Sequence, residues 1–78
     1  MNEKEFFKLI QFSLKNFKDC TIYKDAIKIF IHCMDFKIYI DTGIYIEDTV
    51  INKNPTYKQV KDFLQIINDK QDITENTI

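Results

Sequence analysis

Three side chains in this chain of 78 residues have the chemistry of a thiol nucleophile, its base, or a soft metal ligand: Cys20, His32 and Cys33. An activated thiol needs a base within hydrogen-bond reach. His32 and Cys33 are neighbours in an alternating stretch, so their side chains leave the backbone on opposite faces and cannot meet. A structural zinc takes about four ligands, and no CxxC or CxxH spacing gathers these three. Paired carboxylates work as acid and base where a cleft excludes water, which a small convex domain does not offer. No phosphate loop, GxSxG or HExxH run occurs. The expectation is a non-catalytic chain with no metal and no cofactor, its two cysteines reduced and buried.

The charge points the same way. All 11 basic residues are lysine. Arginine supplies the planar fork favoured for phosphate and guanine, so its absence argues against direct nucleic-acid recognition. The 45% hydrophobic and 29% charged content are those of a globular protein. No apolar run approaches the roughly 20 residues that span a membrane, and the first residues, MNEKEFFKLI, lack a signal-peptide pattern. A cytoplasmic, single-domain protein over residues 1–78 is expected, with residues 70–78 a polar, frayed tail.

The elements follow from periodicity. Phe6, Ile10, Ser13, Leu14 and Phe17 recur at helical spacing, and Asn2 with Glu5 resembles a capping box, so a helix is expected from Glu3 to Phe17. Residues 20–24 either begin a strand or lead into one. Ile27, Ile29, Ile31 and Cys33, then Phe36, Ile38 and Ile40, then Ile44 and Ile46 alternate with polar or aromatic residues, the pattern of half-buried strands. Asp41-Thr42-Gly43 suits a three-residue hairpin loop, setting Tyr39 opposite Tyr45 and Lys37 opposite Glu47. A two-residue turn at Met34-Asp35, or a four-residue turn of the same parity, keeps the isoleucines on one face. That register sets Ile31 opposite Ile38 and Lys28 opposite Asp41. The last strand runs toward Val50 and Ile51, with a bend or strand end at Asp48. A second helix begins at Asn54-Pro55 or at a Thr56/Gln59 capping box and ends at Asn68-Asp69. Its apolar stripe is Tyr57, Val60, Phe63, Leu64 and Ile67. The fold class expected is α+β: a two-layer domain of a three-stranded antiparallel meander with the N- and C-terminal helices on one face, in the order α-β-β-β-α.

This register leaves one sheet face uncovered. It sets Phe30, Tyr39 and Tyr45 in adjacent positions on three strands, with Lys28, His32 and Lys37 around them. Asp35, Glu47 and Asp48 meet at one end as an acidic corner. Contiguous exposed aromatics are enriched at contact surfaces, and an acidic corner fits a basic groove. The size, the element order, the Asp41-Thr42-Gly43 turn and the acidic corner together resemble several phage-encoded anti-CRISPR proteins. That resemblance implies a stoichiometric inhibitor whose partner is a CRISPR effector and which blocks its engagement of DNA or RNA. The binding residues expected are Phe30, Tyr39, Tyr45, Asp35, Glu47, Asp48 and Lys37. The alternatives are a single-strand nucleic-acid binder using the aromatics with Lys28 and Lys37, and a homodimer formed through a sheet edge.

Overall fold

A computed structural model describes the backbone of residues 1–76 and the side chains of residues 1–71. The order of elements is α1 (Glu3–Asn16), β1 (Cys20–Ile22), β2 (Ala26–Ile31), β3 (Met34–Tyr39), β4 (Gly43–Ile46), β5 (Thr49–Asn52) and α2 (Tyr57–Asn76). The strands form one antiparallel sheet in the order β1-β2-β3-β4-β5. The expected three-stranded meander is therefore corrected to a five-stranded one.

The two added strands have separate causes. β1 is only 3 residues long, too short for alternation to distinguish a strand from a lead-in. It joins the sheet when the chain reverses at residues 23–25, where the Tyr23 amide donates to the Ala26 carbonyl at 2.8 Å. The strand end expected near Asp48 is present, since β4 stops at Ile46, and the chain reverses there where one continuing strand was expected. It turns back at Glu47-Asp48, with Glu47 at φ 55°, so that Val50 lies opposite Tyr45. A positive φ on glutamate carries no glycine or asparagine signal, so the turn was hidden. β5 then carries a bulge: Ile44 pairs with Asn52 and Tyr45 with Val50, leaving Ile51 without a partner and 53% exposed.

Both hairpin registers keep the expected parity but slide, the β2–β3 pairing by four residues and the β3–β4 pairing by two. The β2–β3 turn falls at His32-Cys33, not Met34-Asp35, and pairs Ile29 with Phe36, Ile27 with Ile38 and Lys28 with Lys37. Both turn residues have positive φ, 54° and 63°, the signature of a type I′ hairpin. Neither residue is ideal there. His32→Asn combined with Cys33→Gly is expected to raise stability by about 1–2 kcal/mol, seen as a thermal midpoint higher by about 4–8 °C per kcal/mol. An unchanged or lower midpoint would show that the turn is not strained.

Ile27, Ile29, Ile38 and Ile44 are buried together with Phe6, Leu9 and Phe17 of the α1 segment and Val60, Leu64 and Ile67 of α2 in one cluster. Asn2 and Glu5 form a reciprocal capping box on α1, and Thr56 with Gln59 does so on α2 at 2.9 and 3.2 Å. The helices meet through Lys61 over the Phe12 ring, 3.6 Å from its centroid, and Gln71 donating to the Asn16 carbonyl at 2.7 Å. That last bond ties α2 to the end of α1, and α2 continues past Asn68-Asp69 to Asn76. The tail expected from residue 70 is helical as far as residue 76; residues 77 and 78 lie outside the described residues. Within α1 the stripe shifts. Leu9 is fully buried, while Phe7 and Leu14 are 57% and 56% exposed. Among the described residues no helix is long and apolar enough to cross a membrane.

Candidate functional site

The helices cover one sheet face and leave the other bare. On the bare face the side chains follow from register. One row crosses all five strands: Thr21, Lys28, Lys37, Tyr45 and Val50. On one side of that row lies the pair Ala26–Tyr39; on the other lies Phe30–Asp35. The expected contiguous Phe30–Tyr39–Tyr45 patch is thereby split. Tyr39 and Tyr45 do meet, edge to face, with ring centroids 5.4 Å apart at 80°. They meet as diagonal neighbours, because Tyr45 lies opposite Lys37 and Tyr39 opposite Gly43. Phe30 stands beyond Lys28 and Lys37, 46% exposed. The four-residue slide of β2 against β3 causes this separation, since every two residues of slide move a strand by one row while leaving each side chain on its face.

The slide also changes the electrostatics. The expected pairs Lys28–Asp41 and Lys37–Glu47 do not form. Two ammonium groups instead sit directly opposite one another, a destabilising cross-strand arrangement unless carboxylates relieve it. Asp35 lies 4.0 Å from Lys28 and Asp48 lies 3.5 Å from Lys37. Asp35 and Glu47 are brought together at the end of the sheet, where the Glu47 amide donates to the Asp35 carbonyl at 2.7 Å and the Asp35 amide to Glu47 Oε1 at 3.3 Å. The acidic corner is thus largely engaged with the chain itself: two carboxylates face lysines and the third holds a backbone amide.

Sequence reasoning missed Tyr23 and Val50. Tyr23 is 52% exposed and, with Ala26, Lys28, Lys37 and Tyr39, lines a shallow depression of about 360 Å³ on the bare face. Its signal was legible only once β1 was read as a strand whose end places residue 23 over Ala26.

The candidate chemistry of the thiols is also relocated. His32 and Cys33 sit at an exposed turn, not in a strand, and Cys33 is not buried. Cys20 is half-buried. Burial first, and the nearby Asp19 carboxylate second, push its thiol above the ordinary value. The folded state thus holds this proton more tightly than the unfolded chain. Any stability linked to Cys20 is present below the ordinary thiol range and falls as the pH rises through it. Under mildly alkaline iodoacetamide, Cys33 is expected to be alkylated first and Cys20 to lag, as read by peptide mass mapping. Equal rates would show that β1 opens faster than the reagent reacts. Among the described residues no three His, Cys, Asp or Glu side chains gather where a metal ion could be held.

No family is shown. The chain matches no protein-family model, no curated protein and no solved structure. Its candidate site therefore stands on geometry alone: one uncovered sheet face with paired tyrosines, two opposed lysines and a shallow depression between them.

Proposed function

We propose that this chain is a non-catalytic, cytoplasmic protein-binding domain whose bare sheet face seats on a partner protein as a stoichiometric inhibitor. The observation that carries the reading is the Tyr39–Tyr45 pair beside Lys28 and Lys37, with Tyr23 and Val50 extending the apolar surface across the strands. Tyrosines bring large contact area at small entropic cost, and half-buried lysine stems add to it. Both lysines already have carboxylate neighbours, so the face is close to neutral and suits a mixed protein surface.

The target class to test first is the one the anti-CRISPR resemblance implies, a guide-loaded CRISPR effector. Titrating the purified chain into such an effector should abolish DNA binding at equimolar ratio. Tyr39→Ala with Tyr45→Ala should weaken the inhibition about a thousandfold, since hot-spot aromatics each carry about 2 kcal/mol or more. Inhibition unchanged in a folded double variant would assign the binding to another surface. No inhibition across effector types would remove this target class.

One observation favours a second reading. Lys28 opposite Lys37, with aromatics on both sides, is an arrangement that single-stranded nucleic acid can use, bases stacking on rings and phosphates meeting ammonium groups. Oligonucleotide binding that falls steeply with salt would support it. Absence of binding at low salt would eliminate it.

A further inference from the structure

The depression on the bare face has a floor and two walls. The row through it reads Ala26–Tyr39–Gly43 across β2, β3 and β4, so a tyrosine stands between two of the smallest residues. The Tyr39 ring packs against Tyr45 of β4, with centroids 5.4 Å apart. That is the side away from Ala26, because β2 and β4 flank β3 on opposite sides. Ala26 is left at the floor, 6% exposed. Tyr23, half exposed, makes the wall across from Tyr39.

The charged residues on the lining are Asp25, Lys28 and Lys37. Lys28 lies 4.0 Å from Asp35, and Lys37 lies 3.5 Å from an Asp48 that is fully exposed. Exposed pairs of this kind hold their members weakly, so both ammonium groups are free to turn toward a ring. The Asp25 carboxylate has no ion pair or hydrogen bond among the described residues. Its backbone carbonyl accepts from the Ile40 amide at 3.0 Å, which fixes the turn that carries it.

This mixture of signs selects the occupant. A carboxylate entering the depression would meet Asp25, and an ammonium would meet Lys28 and Lys37. A neutral aromatic side chain suits both. Its ring face is negative and attracts ammonium groups, while an indole N–H or phenol O–H at its edge donates to a carboxylate. A volume of about 360 Å³ is at the small end for ligand pockets and fits a single side chain. We propose, on the reading of the bare face as a protein interface, that this depression is its anchor pocket and takes one tryptophan or tyrosine side chain of the partner protein, the ring lying over Ala26 between Tyr23 and Tyr39.

The test uses the free, isotope-labelled chain with N-acetyltryptophanamide as the probe, followed by NMR. Shift changes should concentrate at Tyr23, Ala26 and Tyr39. N-acetylleucinamide should bind about two- to fivefold more weakly, the loss of an exposed cation–π contact. Ala26→Leu fills the floor and should remove the localised shifts. Tyr23→Ala, at an exposed position, should weaken binding about two- to tenfold through the lost ring contact, and it decides the matter if the leucine variant does not fold. Shifts spread over the surface, equal affinity for the two amides, or binding unchanged in the folded variants would overturn the proposal. These outcomes need no partner and are separate from the wider reading. If Tyr39→Ala with Tyr45→Ala abolishes inhibition while Ala26→Leu leaves it intact, the anchor pocket alone is wrong.

Discussion

Gly43→Ala is expected to cost about 3 kcal/mol, a large share of the stability of a domain this size. The residue has φ +114°, where an L side chain is strained. Strain of this kind costs about 1–3 kcal/mol. The added Cβ would also fall onto the Asn52 carbonyl oxygen, with the Asn52 carbonyl carbon and the Lys53 oxygen both at 2.9 Å. These are backbone atoms and cannot rotate away. Moving Asn52 disturbs its pairing with Ile44 and two side-chain bonds: it donates to Gln59 Oε1 at 3.3 Å and accepts from the Asn54 amide at 3.2 Å. One methyl group would therefore loosen β5 and the entry to α2 together. A domain of 78 residues has about 4–12 kcal/mol of total stability. Urea denaturation followed by circular dichroism should show the midpoint lowered by about 2–3 M. A loss under about 1 kcal/mol would mean that the loop relaxes without strain.

Ile38→Ala should cost a similar amount by another route. Ile38 lies in β3, the middle strand, fully buried, with Ile27 on one side and Ile44 on the other, both buried as well. Removing its outer carbons loses transfer free energy and leaves a cavity that the flanking strands cannot close, about 2–5 kcal/mol in all. Ile51→Ala is the control. Ile51 sits in the bulge, 53% exposed, and should cost less than about 0.5 kcal/mol. Similar losses at the two positions, by the same denaturation measurement, would contradict the placement of the core beneath the helices.

The contrast between these isoleucines shows what was legible. Ile27, Ile29, Ile38 and Ile44 announce a buried face because alternation is local: each side chain's face is set by its neighbours two residues away. The capping boxes of Asn2/Glu5 and Thr56/Gln59 are equally local. The turns at His32-Cys33 and Glu47-Asp48 were not legible, since their positive-φ residues carry none of the usual turn chemistry. Without those turns, alternation alone leaves strand number and register open. The site depends on both: parity alone allows Phe30 beside Tyr39 and the lysines beside Asp41 and Glu47, whereas the turns set Phe30 opposite Asp35 and the lysines beside Asp35 and Asp48.

The bare face itself changed character for that reason. Apolar parity of the strands, the helix starts, and which aromatics and lysines point away from the core are all local properties of the chain. Where the chain reverses is not local, and it is what sets Lys28 opposite Lys37, brings Tyr39 against Tyr45 and makes β1 an edge of the sheet. Parity survives a slide of two residues and neighbourhood does not, because the side-chain period of a strand is two while contact across a sheet depends on every step of register.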